Sequence, residues 1–157
     1  MIQRIQTVYL LIVAGLFIAL MFLPLAVVQT SEVLYTFGVA GVSTTTQPPE
    51  LVYPTWALMA IAAIIILLSF AIIFMYKKRV LQMRMCVFNA LLTIGFCALS
   101  GFYLWQISNS PELSEILVRI SPRFWASFPV IALILLYLAI RNIGADETLV
   151  RSLERLR

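Results

Sequence analysis

The sequence predicts an all-α integral membrane protein: a bundle of four transmembrane helices with a small β-hairpin-like external loop. Three observations carry that prediction. Of the 157 residues 62% are hydrophobic and only 11% charged, the mean hydropathy is +1.01, and four long apolar runs alternate with short polar stretches. Soluble domains carry about 25% charge, so these runs require lipid as their solvent. A helix crosses a hydrocarbon core with about 20 apolar residues. The runs meet that length at about 5–28, 55–76, 86–107 and 124–143, none with a charge at its middle, within one membrane domain covering 1–157.

The first run follows Arg4 and stays uncharged through Val28. It exceeds the roughly 7–15 apolar residues of a secretory signal, and Ala26, Val27 and Val28 make a poor cleavage site. It reads as a retained anchor that Pro24 bends or ends. External loop 29–54 contains VLYTFGV, in which Val33, Tyr35, Phe37 and Val39 alternate with Leu34, Thr36, Gly38 and Ala40. That is the period of a half-buried strand. Gly41, the polar run Ser43 to Thr46 and Pro48-Pro49 then break it, predicting a hairpin or short sheet over the bundle. Such an element is either a lid packed on its own helices or an edge that pairs with another protein's strand.

Between the second and third runs, YKKRVLQMRMC places Lys77, Lys78, Arg79 and Arg84 in loop 77–85. If that loop is cytoplasmic, both termini are too. Nine Lys/Arg then lie inside (Arg4, those four, Arg141, Arg151, Arg155 and Arg157) and only Arg119 and Arg123 outside. This is the distribution that sets membrane orientation. Trp56, Trp105 and Trp125 all fall at the predicted outer boundary, where aromatic belts form. The same cations, with Arg151, Arg155 and Arg157 of the tail, suit anionic lipid headgroups, at about 1 kcal/mol per charge near a membrane surface, or a protein partner. Nucleic acid is not expected, because the loop is short and lacks an aromatic stacking platform.

External loop 108–123 reads as a short amphipathic helix. Ser110 would cap it and Pro111 suits its first turn, with Leu113, Ile116, Leu117 and Ile120 on one face and Glu112, Glu115 and Arg119 on the other. In the tail, 145–157, Gly144 offers a stop and Asp146 a new cap, predicting a separate cytoplasmic amphipathic helix.

Within the third run Cys86, Asn89, Ala90, Thr93, Cys97, Ser100 and Gly101 share one stripe of the helix. Small and weakly polar residues at this spacing let membrane helices approach and hydrogen-bond, so Asn89, Thr93, Cys97, Ser100 and Gly101 are the predicted helix-packing surface. No catalytic residue, cofactor or metal ligand is assigned. Histidine is absent, no ionisable residue sits mid-span to relay protons or ions, and no nucleophile or phosphate-binding motif occurs. Cys86 and Cys97 lie about 16 Å apart along a helix, too far for a disulfide.

Four stretches, MIQRIQTVYLL, FLP, YKKRVLQMRMC and LAIRNIGADETLVRSLERLR, together resemble a small family of four-helix inner-membrane proteins of Gram-negative bacteria known only as a domain of unknown function. The resemblance covers essentially the whole chain and implies the architecture and the location in the bacterial inner membrane, but no activity. The layout of a β-rich first external loop on four helices is also similar to that of claudins, by fold-level analogy. The function expected is a non-enzymatic accessory or scaffold membrane protein with a membrane-protein partner or a second copy of itself. The alternative is a small homo-oligomeric channel or transporter lined by Asn89, Thr93 and Ser100 across subunits.

Overall fold

The computed structural model describes residues 3–31, 33–45, 51–75, 78–109 and 117–155. Helices α1 (Gln3–Phe22), α2 (Trp56–Phe74), α3 (Arg79–Ser108) and α4 (Phe128–Arg155) are joined by strands β1 (Ala26–Thr30), β2 (Leu34–Phe37), β3 (Gly41–Thr44), β4 (Leu51–Pro54) and β5 (Leu117–Pro122). The strands form one antiparallel sheet in the order β4-β3-β2-β1-β5. The all-α expectation is therefore corrected. The fold is mixed, and its β part is a five-stranded sheet rather than a local hairpin.

Helix α1 packs on α2 and α4, and α3 packs on the same two, so the four form a ring. Phe17 of α1 and Phe96 of α3 meet edge to face across its middle, with ring centroids 5.3 Å apart and both side chains fully buried. On α2 the buried positions are Leu58, Ala62, Ile65, Ser69 and Ile72, and on α3 as far as Phe96 they are Gln82, Cys86, Asn89, Thr93 and Phe96. Alternate steps of four and three are the seam of left-handed helix packing. Ala14, Ala62, Ala132 and Ala139 in the core let the backbones approach. Four segments, Ile5–Phe22, Trp56–Phe74, Val80–Ser108 and Phe124–Ala145, are long and apolar enough to cross a membrane. Their outward positions, such as Leu11, Leu67, Leu91 and Ile134, are apolar and exposed.

The first apolar run does not stay helical to Val28. The Leu23 N–H still donates to Ala19, but Pro24 has no N–H to continue the ladder and disfavours helix at the residue before it. Leu25 then donates to the Phe37 carbonyl at 2.7 Å, and β-branched Val27 and Val28 enter the sheet. Strand β1 is flanked on both sides. Ala26 lies opposite Phe37 and Pro122, and Val28 opposite Tyr35 and Ile120. Partners in register share a face, and this one turns to the core: Ala26, Val28, Phe37 and Val42 are buried, with Tyr35 and Ile120 packed against them.

The expected surface helix in 108–123 is also corrected. Leu117–Pro122 is a strand held by β1, while 110–116, with the anticipated cap at Ser110, lies outside the described residues. Nor does the last helix break at Gly144. Helix α4 runs unbroken from Phe128 to Arg155, because one glycine costs a helix only about 1 kcal/mol and nothing crowds this one. Helix α3 begins at Arg79, so Arg79 and Arg84 stand on its first turns rather than in a loop.

Gly41 opens β3 with φ +157°, and a Cβ there would lie 2.5 Å from Leu51 Cδ2 and 3.0 Å from the Tyr53 carbonyl oxygen. The Leu51 side chain can turn away; the carbonyl of the paired strand cannot. Gly41→Ala is expected to loosen the β3–β4 pairing at a cost of about 1–3 kcal/mol, seen as faster limited proteolysis between β3 and α2 with helix content unchanged.

Candidate functional site

Polar side chains inside the ring fall in layers. In the middle, the Asn89 amide nitrogen donates to Ser69 Oγ at 2.9 Å, and the Ser69 hydroxyl donates onward to the Ile65 carbonyl at 2.8 Å. Thr93 donates back to the Asn89 carbonyl at 2.9 Å, one turn below it on the same helix. All three side chains are fully buried. Among the described residues Asn89 Oδ1 has no partner. Toward the end opposite the sheet, Gln82 Nε2 donates to the Ile72 carbonyl of α2 at 3.2 Å, and Gln6 Nε2, nearly buried on α1, has no partner among the described residues. At the sheet end, buried Thr55 directs its hydroxyl at the Val39 and Gly38 carbonyls, at 3.0 and 3.2 Å, pinning the start of α2 under the β2–β3 turn.

The predicted stripe on α3 is divided by this geometry. Asn89 and Thr93 face the interior of their own bundle, Cys97 and Ser100 are half-buried with the Ser100 hydroxyl bonded to the Cys97 carbonyl, and Gly101 is exposed. Cys86 and Cys97 are free thiols. Among the predicted cations, Lys78 and Arg84 are exposed. Lys77 and Arg157 lie outside the described residues, as do the side chains of Arg79, Arg151 and Arg155. Ser69, Gln82 and Thr55 were not singled out by sequence. Ser69 carries a faint signal, being the lone polar residue in IIILLSFAII.

Beneath the sheet, at its β3–β4 corner, lies a cavity of about 330 Å³ lined by Val42, Tyr53, Thr55, Tyr103, Trp105, Gln106, Ile107 and Asn109. Val42 and Tyr53 are register partners and so point the same way, toward the helices. Val42 is buried, yet Tyr53 keeps 42% of its surface. The corner overhangs the last turns of α3, and the space between is the cavity.

Four apolar helices ringed around a bonded polar layer and capped by an antiparallel sheet define a class: a compact α/β chain whose helices have membrane-spanning length. The chain belongs to the family described as Domain of unknown function (DUF4293), which it matches over residues 2–156. No curated protein matches it.

The amide–hydroxyl pair makes an asymmetric prediction. Ser69→Ala leaves the Asn89 amide without its acceptor beside an oxygen already unpaired, and is expected to cost about 1–3 kcal/mol. Asn89→Leu removes the donor and the orphan oxygen together while Ser69 keeps its bond to Ile65, so it costs less, about 1 kcal/mol or under. Unfolding titrations of both variants in mixed micelles measure the order, and the reverse ranking would refute the assignment.

Proposed function

We propose that the chain is a non-enzymatic accessory or scaffold protein of the bacterial inner membrane, with both termini cytoplasmic and the sheet on the opposite side. The observation that carries this reading is the open edge of β4. Among the described residues no strand pairs with the outer side of β4, and Leu51 keeps 66% of its surface exposed. An unpaired edge with apolar side chains is a surface that another strand can extend. The bundle would then serve to hold that edge at a fixed height. Orientation is supported by the excess of Lys/Arg in the termini and the α2–α3 connection, where exposed Lys78 and Arg84 can meet anionic headgroups.

The rival reading, an oligomeric channel lined by Asn89, Thr93 and Ser100, draws no support from Asn89 and Thr93 side chains buried within a single chain.

A photo-crosslinking residue at Leu51 is expected to give one discrete protein adduct in native membranes, absent when the probe is moved to exposed Leu67 of α2. Leu51→Lys, whose charge blunts edge pairing, should prevent co-purification of the same partner. A smear of adducts at 51, or co-purification unchanged by Leu51→Lys, would remove the edge from the proposal.

A further inference from the structure

The cavity under the β3–β4 corner has the size of small-molecule sites, about 300–1,000 Å³, and their usual build of apolar walls with a few polar groups. Its walls are Val42, Tyr103 and Ile107. The Thr55 hydroxyl is already engaged by the Val39 and Gly38 carbonyls and offers a ligand no donor. The Tyr53 and Tyr103 hydroxyls and the Gln106 and Asn109 amides have no hydrogen-bond partner among the described residues. Both amide-bearing residues are exposed, on the last turn and C-cap of α3, and so form the rim.

Two features select the occupant. The described lining holds no Asp, Glu, Lys or Arg, and the described cations nearest in the sheet, Arg119 and Arg123, belong to the β5 side, at the opposite edge from β4. An anionic or cationic head would find no counter-charge there, whereas a hydroxyl or ester head is matched by the hydroxyls and amides of the lining. The mouth is also bordered by Trp105, at the same end of the bundle as Trp56 and Trp125, and amphipathic rings of this kind mark the boundary between hydrocarbon and headgroups.

We infer that this cavity binds an uncharged amphiphile drawn from the bilayer, its chain against Val42, Tyr103 and Ile107 and its hydroxyl or ester head on Tyr53, Gln106 and Asn109. The inference rests on the membrane reading above but is independent of any partner at β4.

The test uses the full chain in lipid nanodiscs with a monoacylglycerol carrying a diazirine in its tail, followed by peptide mapping. Labelling is expected to be saturable, to concentrate on the peptides bearing Val42, Tyr53 and Tyr103–Asn109, and to be competed by plain monoacylglycerol far better than by the corresponding fatty acid anion. Asn109→Trp, which fills the mouth from an exposed position, should lower labelling at least about tenfold, and Gln106→Trp should do the same. Leu67→Trp, on the exposed face of α2, should leave it unchanged. Non-saturable labelling spread over all four helices, the mark of bulk lipid only, would overturn the site, as would labelling indifferent to both filling variants. Release of the chain from membranes by alkaline carbonate would overturn the membrane reading and this inference with it, whereas retention with non-saturable labelling overturns the cavity alone.

Discussion

Three residues separate the end of α1 from strand β1, which must hydrogen-bond along both of its edges. In a packed cap its backbone groups have little water to turn to, and an unpaired buried amide or carbonyl costs as much as a lost hydrogen bond. Strand β2 satisfies one edge through a tight turn, where the Thr30 hydroxyl donates to the Val33 carbonyl at 2.6 Å and accepts from the Val33 N–H at 3.1 Å. The other edge is satisfied only by β5, which arrives from between α3 and α4. That non-local pairing fixes where the chain re-enters the bundle, since the last helical segment follows β5 within a residue or two. Arg123, the residue after β5, even donates its N–H to the carbonyl of Leu25, just before β1.

The bundle answers a different constraint. In lipid, as proposed for these helices of membrane-spanning length, hiding leucine gains nothing, so association depends on close contact and interhelical hydrogen bonds. Here the two act in neighbouring layers about two helical turns apart: the Phe17–Phe96 edge-to-face pair fills one, and in the other Asn89 reaches Ser69 on the neighbouring helix. Sheet and bundle are joined with almost no slack. A single residue, Thr55, separates β4 from α2, and its side chain is itself tied to the β2–β3 turn.

How much of this was legible in the sequence depends on the range of each interaction. The four helices were, because uninterrupted apolar length is a local property. Strand β2 was, through the alternation of VLYTFGV. AVVQT was not, since a β-branched strand that continues an apolar run looks like more helix until Pro24 is given its full weight. LVRISP was misread because it alternates over only six residues, and Leu117 and Ile120 also complete a helical face with Leu113 and Ile116. Only its partner strand decides between the two. Gly144 and Asp146 gave a plausible stop and cap, yet an established helix passes through one uncrowded glycine at small cost. Asn89 could be recognised as needing a partner, but Ser69 could be assigned to it only once α2 and α3 were packed. The cavity had no sequence signature at all. Its walls come from β3, β4 and α3, and it exists because a strand pair overhangs a helix end.

The central place of β1 also bears on how the chain is made. Synthesis runs from the N-terminus, so β1, β2, β3 and β4 all emerge before α3, while the strand that completes β1 emerges after it. Throughout that interval the nascent sheet carries an open edge on each side, at β1 and at β4. A chain stalled or cut after α3 would keep both, whereas the finished chain has closed the first with β5; among the described residues the second remains, along with the new outer edge of β5 itself. Completion of the sheet is therefore a late checkpoint: what a ribosome-bound intermediate displays at β1 is a surface that the mature protein no longer has.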